Sequence, residues 1–549
     1  MKKNRDLFWK CILVCLVALA AFSCGDDDNS SEVSKTIEGV AATGAAMASA
    51  QVRIVDSQGT VVTTTTDSQG RYTITKEGLT PPFAVEVTNA QSDTFHALSF
   101  SYGRINITPL TEIITAMAML GGDPTTVMDN LSTITEQSFT TAKTQLKNKL
   151  APLLEAFGAS EMDLISSAFE ANSQGIDALL DLISTDFQPS SGELTISTSS
   201  GQTLFQATLS NSGMTTTTPL TTAALLTTPA LSTKLFGEYH VVDFNTDTTE
   251  ELSEIRWGDA LFTADGFANL NILTANGGET GSETVDYTLS PTGLLDMGGN
   301  SGVQGSSTTN KDFLVLSDIY PNDGDTGMVF FIRKAEEAPV LSGQYKRLEF
   351  TRNNTGNYET DSWSTDFTFT WDQTNQTASF DDDGQTQTLQ YSQYKRFEGP
   401  NGLILYPAMN GALLIIPHAA PDDSGFTIMI KSPLSPYIDF DDTNDSALEN
   451  FLFTGFDIDT ADESFTAERG DLVWAKTNSS TGTFTLSGEA ASDLQCDDGI
   501  FRFSNSGNPD LGSFGLYPND GVIVWVDRKE SGADTEFGVH FAIKNWPQD

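Results

Sequence analysis

Apolar and polar positions fall into four regimes along the chain. Residues 11–22 (CILVCLVALAAF) form an unbroken apolar run, preceded by Lys2, Lys3, Arg5 and Lys10 and followed by the abruptly polar GDDDNSSE. That run has the length of a signal h-region and is short for a membrane span of roughly 20 residues. Between 51 and 75, β-branched and polar residues alternate in QVRIVD, TVVTTTTD and RYTIT, with Asp-Ser-Gln-Gly between them at 56–59 and again at 67–70. Polar turns ending in glycine between alternating runs predict hairpins.

The period then switches to helical. Thr108 is placed to N-cap a helix with Pro109 in its first turn, and Leu110, Ile113, Ile114 and Met117 share one face. Gly121-Gly122-Asp123-Pro124 stops that helix. Phe139, Leu146, Leu150, Leu153, Leu154 and Phe157 mark a further helical run broken near Pro152, and Ile176, Leu179, Leu180 and Ile183 mark a last helix. GELTIST and TLFQATL, within 191–211, predict a hairpin, and the Thr-rich stretch 213–234 predicts a linker.

From 235 onward the chain repeats. Gly237-Glu238-Tyr239 precedes Trp257, Gly343-Gln344-Tyr345 precedes Trp363, and Gly455-Phe456 precedes Trp474. Each unit ends in an alternating apolar strand closed by a basic residue: GMVFFIRK (327–334), GFTIMIK (425–431) and GVHFAIK (538–544). Short strands, turns rich in Asp, Asn and Gly, and no helical run long enough for a crossover predict antiparallel sheets. A unit of this length holds about eight strands. It can close as a meander barrel, with the Gly-x-Tyr strand pairing the final one. The units are thus expected as barrels or sandwiches, the alternative being one six-bladed propeller with two blades per repeat. The expected fold is mainly β and multidomain. Its parts are a signal peptide (1–23), a polar tether (24–36), a β-sandwich (37–104), a helical region with a terminal hairpin (105–212), the linker (213–234), and β units at 235–336, 337–433 and 434–549.

Charge narrows the partners. The formal net charge is −45, and loss of residues 1–23 takes it to −48. Such a surface repels nucleic acid and anionic headgroups. Of four cysteines, Cys11 and Cys15 leave with the signal and Cys24 is the candidate lipidation site. Only Cys496 then remains, so no disulfide forms within the mature chain.

Two stretches carry resemblances. The apolar run followed by Ser23-Cys24 resembles the lipobox of bacterial lipoproteins, with Ala21 where that motif usually has leucine. The resemblance implies a diacylglyceryl group on Cys24 and attachment to a membrane; ordinary secretory cleavage stays open. Gly25 after the cysteine favours the outer over the inner membrane. The pattern G-x-A-x-x-G-A (39–45), V-x-I-x-D-x-x-G and TTD-x-x-G-x-Y resembles the carboxypeptidase regulatory-like domain. This implies a transthyretin-like β-sandwich that acts as a spacer or adhesion module and brings no zinc ligands.

Candidate chemistry is sparse. His96, His240, His418 and His540 form no H-E-x-x-H motif or close pair. Ser392-Gln393-Tyr394-Lys395 matches S-x-x-K but lies in strand-like sequence rather than on the helix that chemistry needs. Calcium suits oxygen-rich loops: Asp243, Asn245 and Asp247 with Glu254, and Asp457 and Asp459 with Glu468, imitate its spacing, though neither set has the glycine at position six. Tyr320, Tyr406 and Tyr517 recur in the repeats as candidate aromatic platforms for sugars. The expected function is a lipid-anchored envelope protein that binds carbohydrate or protein, or builds the envelope, without catalysis. Repeated modules would add their contacts. The alternative is a secreted or anchored glycosidase-like hydrolase using paired carboxylates.

Overall fold

The computed structural model describes residues 36–544, leaving out Lys76, Gly121, 211–212, 248–251, 275–280, 300–302, 321–324, 354–357, 383–384, 421–422, 433–448, 460–463, 479–480, 487–491, 498–499, 504–513, 517–521 and 532–533. The fold is mainly β and falls into two compact units. The first comprises residues up to 149 with 162–173 and 180–219; the second takes 150–161, 174–179 and 220 onward. Among the described residues no helix is long and apolar enough to cross a membrane.

The first unit opens with two sheets. Strands β1 (Thr36–Val40), β4 (Arg71–Thr75) and β7 (Gly103–Arg104) form one, in the order β4-β1-β7; β2 (Gln51–Asp56), β3 (Val61–Thr65), β5 (Phe83–Thr88) and β6 (Thr94–Ser99) form the other, in the order β3-β2-β5-β6. Both Asp-Ser-Gln-Gly segments are turns tied by their aspartate. Asp56 Oδ1 accepts from the backbone N–H groups of Gln58 and Thr60, and Asp67 Oδ1 from those of Gln69 and Arg71. The glycines sit at φ +75° and +74°, a region open to glycine at little cost. The first turn closes a hairpin, β2–β3. The second does not: it sends the chain to the opposite sheet, where β4 pairs with β1.

Helix α1 (Pro109–Ala118) begins as the sequence predicts, with Thr108 and Thr111 in a reciprocal capping box and proline in the first turn. Helices α2 (Val127–Asn130), α3 (Glu136–Lys149), α4 (Ala151–Ala156) and α5 (Ile176–Leu182) follow, Leu150 separating α3 from α4 just before Pro152. Two expectations need correction. Ile183 starts a strand, β8 (Ile183–Gln188), rather than extending the last helix. The predicted hairpin, β9 (Glu193–Thr198) and β10 (Thr203–Ser210), is the centre of a four-stranded sheet whose edges are β8 and β11 (Gly213–Thr218). The start of the expected linker is therefore a strand, because the β-branched threonines of β11 pair with β10.

The repeats are three closed eight-stranded barrels in meander order, not blades of a propeller. Barrel 1 runs from Gly237–Asp247 to Asp325–Arg333, barrel 2 from Gly343–Asn353 to Asp423–Ser432, and barrel 3 from Glu449–Asp459 to Asp534–Lys544. In each, the first strand pairs antiparallel with the last, which leaves no open edge. Tyr239 faces Arg333 and Tyr345 faces Lys431 across that closure. The residue facing Lys544 is Phe451, so Phe451, not Phe456, is the third member of the set. Trp257 lies opposite Val242, three residues after Tyr239; three after Phe451 comes Thr454, opposite Arg469, so Trp474 is not the counterpart of Trp257. The third unit carries Glu449 in the glycine's place and phenylalanine in the tyrosine's, which hides the correspondence from pattern matching.

Alternation along the strands serves two cores. In barrel 1, Tyr239, Val241, Phe262, Tyr287, Leu314 and Phe331 fill the interior. The opposite face of the same strands (Val242, Phe244, Phe313, Val315, Met328, Phe330 and Ile332) joins Leu348, Phe350, Ile415, Phe426 and Ile428 of barrel 2 and Val522, Val524, Val539, Phe541 and Ile543 of barrel 3 in one apolar cluster. The seventh and last strands of every barrel contribute to it. Phe330 lies at its centre, 5.3 Å from Phe426 and 5.3 Å from Phe541. Met328–Ile332 and Ile428–Ile430 are apolar at every position because these stretches of the closing strands are buried on both faces.

Candidate functional site

Three built sites stand out among the described residues. The first closes one end of barrels 1 and 2. Gly237 and Gly343, both at φ +94°, let the chain turn into the first strand. Two residues on, the fully buried hydroxyls of Tyr239 and Tyr345 donate to the carbonyls of Lys311 (2.6 Å) and Gly411 (2.7 Å), each in the turn between the sixth and seventh strands. Leu235 and Leu341, four residues before the tyrosines, are fully buried beneath them. In barrel 1, Arg333 adds bonds to the carbonyls of Lys311 and Phe236 and to the Tyr239 oxygen. Burial pushes the Tyr239 phenol up to about 12.

The second is a polar seam between barrels 1 and 2. His240 is 1% exposed, its Nε2 3.0 Å from the Lys395 carbonyl, its Nδ1 3.5 Å from Asp259, and its ring 4.8 Å from that of Tyr406. Lys334 holds Glu238 and Asp259, each at 3.1 Å. Burial raises the Asp259 carboxyl, but His240 and Lys334 outweigh it and hold the group below the usual carboxylate range. Tyr406, pushed up to about 12 chiefly by burial, is 3.2 Å from Arg396, which in turn holds Glu398 at 2.8 Å.

The third lies in the first unit. His96 is fully buried, with Nδ1 3.1 Å from both Glu112 oxygens and Nε2 3.5 Å from Glu86. The Glu112 carboxylate also accepts from the His96 backbone N–H, and the hydroxyls of Thr111 and Thr115 donate to the His96 carbonyl. Side chains of α1 thus occupy the outward main-chain groups of β6 at this point. Burial lowers the imidazole, but the bonds and charges of Glu112 and Glu86 overcome it and raise the group above its ordinary value.

The residues singled out by sequence fare differently. Tyr406 is not an exposed platform: it is fully buried in the shared core, because its strand faces the seam. Tyr320 ends the seventh strand of barrel 1, and its side chain lies outside the described residues, as does all of Tyr517. The calcium-like windows lie on paired strands rather than on single loops: Asn245 faces Glu254, and Gly455 faces Glu468. Asp243 is bound by Arg256 at 2.5 Å; the side chains of Asn245, Asp247, Glu254, Asp457, Asp459 and Glu468 lie outside the described residues. Among the described residues no three His, Cys, Asp or Glu side chains converge on a metal position. Ser392 to Lys395 is a turn in which the Ser392 hydroxyl accepts from the Tyr394 N–H, while the Lys395 ammonium donates to the Glu336 carbonyl. Cys24 lies outside the described residues.

Sequence reasoning marked the Gly-x-Tyr positions but passed over the seam and the bonds that the two tyrosine hydroxyls make. The signal for the closures was present: Leu235-x-Gly237-x-Tyr239 and Leu341-x-Gly343-x-Tyr345 share spacing and residue types. The seam left none, since His240 and Lys395 meet only when two barrels pack.

No family model matches the chain, and no curated protein matches it. Among solved structures, the chain is similar to a Trp-to-Ala mutant of the vaccine antigen Transferrin Binding Protein B from Haemophilus parasuis Hp5, at 10% identity over 57% of this chain and 77% of that one, with a TM-score of 0.23. It is similar to isotype 1 Transferrin Binding Protein B from serogroup B Neisseria meningitidis, at 10% identity, 57% and 77% coverage and a TM-score of 0.19. It is also similar to a protein of unknown function of the DUF3598 family from Nostoc punctiforme, at 9% identity, 56% and 96% coverage and a TM-score of 0.13.

Proposed function

We propose that this chain is a lipid-tethered, non-enzymatic binding protein of the bacterial cell envelope. Its fused barrels act as a rigid head that meets a ligand on their outer faces. The observation that carries this is the filling of barrels 1 and 2 by their own side chains, while their closing strands are spent on the shared core. Contact with a ligand is left to the strands facing away.

Those strands carry a recurring surface. In barrel 1, Asn269 bonds the Thr284 hydroxyl at 2.6 Å and Asn271 that of Ser282 at 3.2 Å, across the third and fourth strands. In barrel 2, Ser379 and Thr388 bond at 3.2 Å across the equivalent pair, with Thr370 and Thr386 exposed beside them. Exposed β-surfaces favour threonine in any case. This hydroxyl and amide row, placed alike in two barrels and bordered by the exposed Asp286 and Asp381, suits a hydroxyl-rich ligand without negative charge, such as a neutral glycan. The transthyretin-like resemblance gives the N-terminal sandwich the role of a spacer or adhesion module.

Two experiments test this reading. Wild type should carry a diacylglyceryl mass and partition with membranes, and Cys24→Ser should do neither. On a panel of neutral surface glycans, Thr284→Lys and Thr388→Lys should each weaken binding several-fold, and together nearly abolish it. Undiminished binding by the double variant would place the ligand elsewhere.

A further inference from the structure

The N-terminal sandwich manages three of its four sheet edges. On β6, α1 takes both outward main-chain groups of His96. Strand β7 is two residues long. Strand β4 carries Arg71, ion-paired with Glu170 at 2.5 Å. Short strands, charges and covering helices are the devices by which natural sheets block edge pairing. Strand β3 has none of them. Residues 60–66 read TVVTTTT, without charge, proline or glycine, and Val61 is 47% exposed.

The ladder shows which groups are open. Asp56 N–H bonds the Thr60 carbonyl and Thr66 N–H bonds the Ala50 carbonyl, so the hydrogen-bonded pairs with β2 are the even-numbered positions of β3. Val61, Thr63 and Thr65, opposite Val55, Arg53 and Gln51, therefore turn their N–H and C=O groups outward. Among the described residues β3 pairs with β2 alone.

We propose that the β3 edge is a docking site for an extended strand of a partner polypeptide, which adds to the sheet beside Val61, Thr63 and Thr65. Main-chain hydrogen bonds would supply affinity, and alternate side chains specificity. The alternating exposed and half-buried β3 side chains, all uncharged, call for an uncharged strand with β-branched residues on its inward face. A second copy of this chain is the poorer occupant, since two bodies of net charge −45 repel each other. The inference does not depend on the reading of the barrels.

The test uses the mature full-length chain and a capped synthetic peptide of alternating valine and threonine. The amides of Val61, Thr63 and Thr65 should exchange rapidly in the free protein and at least ten-fold more slowly with peptide. Thr63→Pro removes only an outward donor, which an edge strand tolerates. It should abolish peptide binding while leaving the melting of the first unit in place, and Thr63→Val should bind like wild type. Slow exchange of these amides in the free protein, absence of peptide protection, or equal binding by Thr63→Pro would each overturn the proposal. Protection that grows with protein concentration alone would give the edge to a second copy and overturn the choice of partner.

Discussion

Lys311 offers the sharpest test of the barrel packing. It lies in the turn between Val303–Ser307 and Phe313–Tyr320, is 1% exposed, and donates from Nζ to the Leu231 carbonyl at 2.7 Å. Burial, with the positive charge of Arg333 adding to it, pushes the ammonium from 10.5 down to about 8. The unfolded chain therefore holds this proton more tightly than the folded one. The penalty is fully present below the folded value and is relieved as pH rises from about 8 to 10.5. At roughly 1.4 kcal/mol per pH unit, the wild type should gain about 3 kcal/mol over that interval relative to a variant that cannot titrate there. Lys311→Met keeps the apolar stem and removes the charge. Near pH 7 the two proteins should differ little, because loss of the charge-assisted bond, worth about 1.5–3 kcal/mol, offsets relief of the buried charge. Urea unfolding of both chains at several pH values between 7 and 10.5, followed at the transition of the second unit, measures the difference directly. Parallel pH profiles would refute the argument.

Other outcomes follow from the same contacts. The raised imidazole of His96 stabilises the first unit fully below pH 6.5, and that contribution is lost as pH rises through the folded value; His96→Gln should flatten the dependence in thermal melts. Phe330→Ala should cost about 3–5 kcal/mol and split the melting of the second unit into separate barrel transitions, which Phe262→Ala, inside barrel 1, should not do. Tyr345→Phe should cost about 1 kcal/mol through loss of the bond to the Gly411 carbonyl. Gly343→Ala, at φ +94°, should cost about 1–2 kcal/mol by denaturant titration.

Local rules made much of this legible in advance. Thr108-Pro109 announced the start of α1 because capping is decided within one turn of chain. The apolar strands closed by Arg333, Lys431 and Lys544 announced three units because each must present the same alternation to its own interior. The third unit was misread at its opening because Glu449 and Phe451 replace the glycine and tyrosine that marked the other two, and only pairing with the last strand fixes the register.

Sequence alone determined the repeat and the antiparallel β character of its units, since these follow from periodicity and turn chemistry within a few residues. Closure into barrels rather than sandwiches or propeller blades came from the pairing of first with last strand, at opposite ends of each unit. Tertiary structure decided what lies on each face of the closing strands. Tyr406 looked like a platform and is core, and His240 looked solitary and meets Lys395 and Asp259, because burial and polar partnership across a seam depend on residues up to 155 positions away.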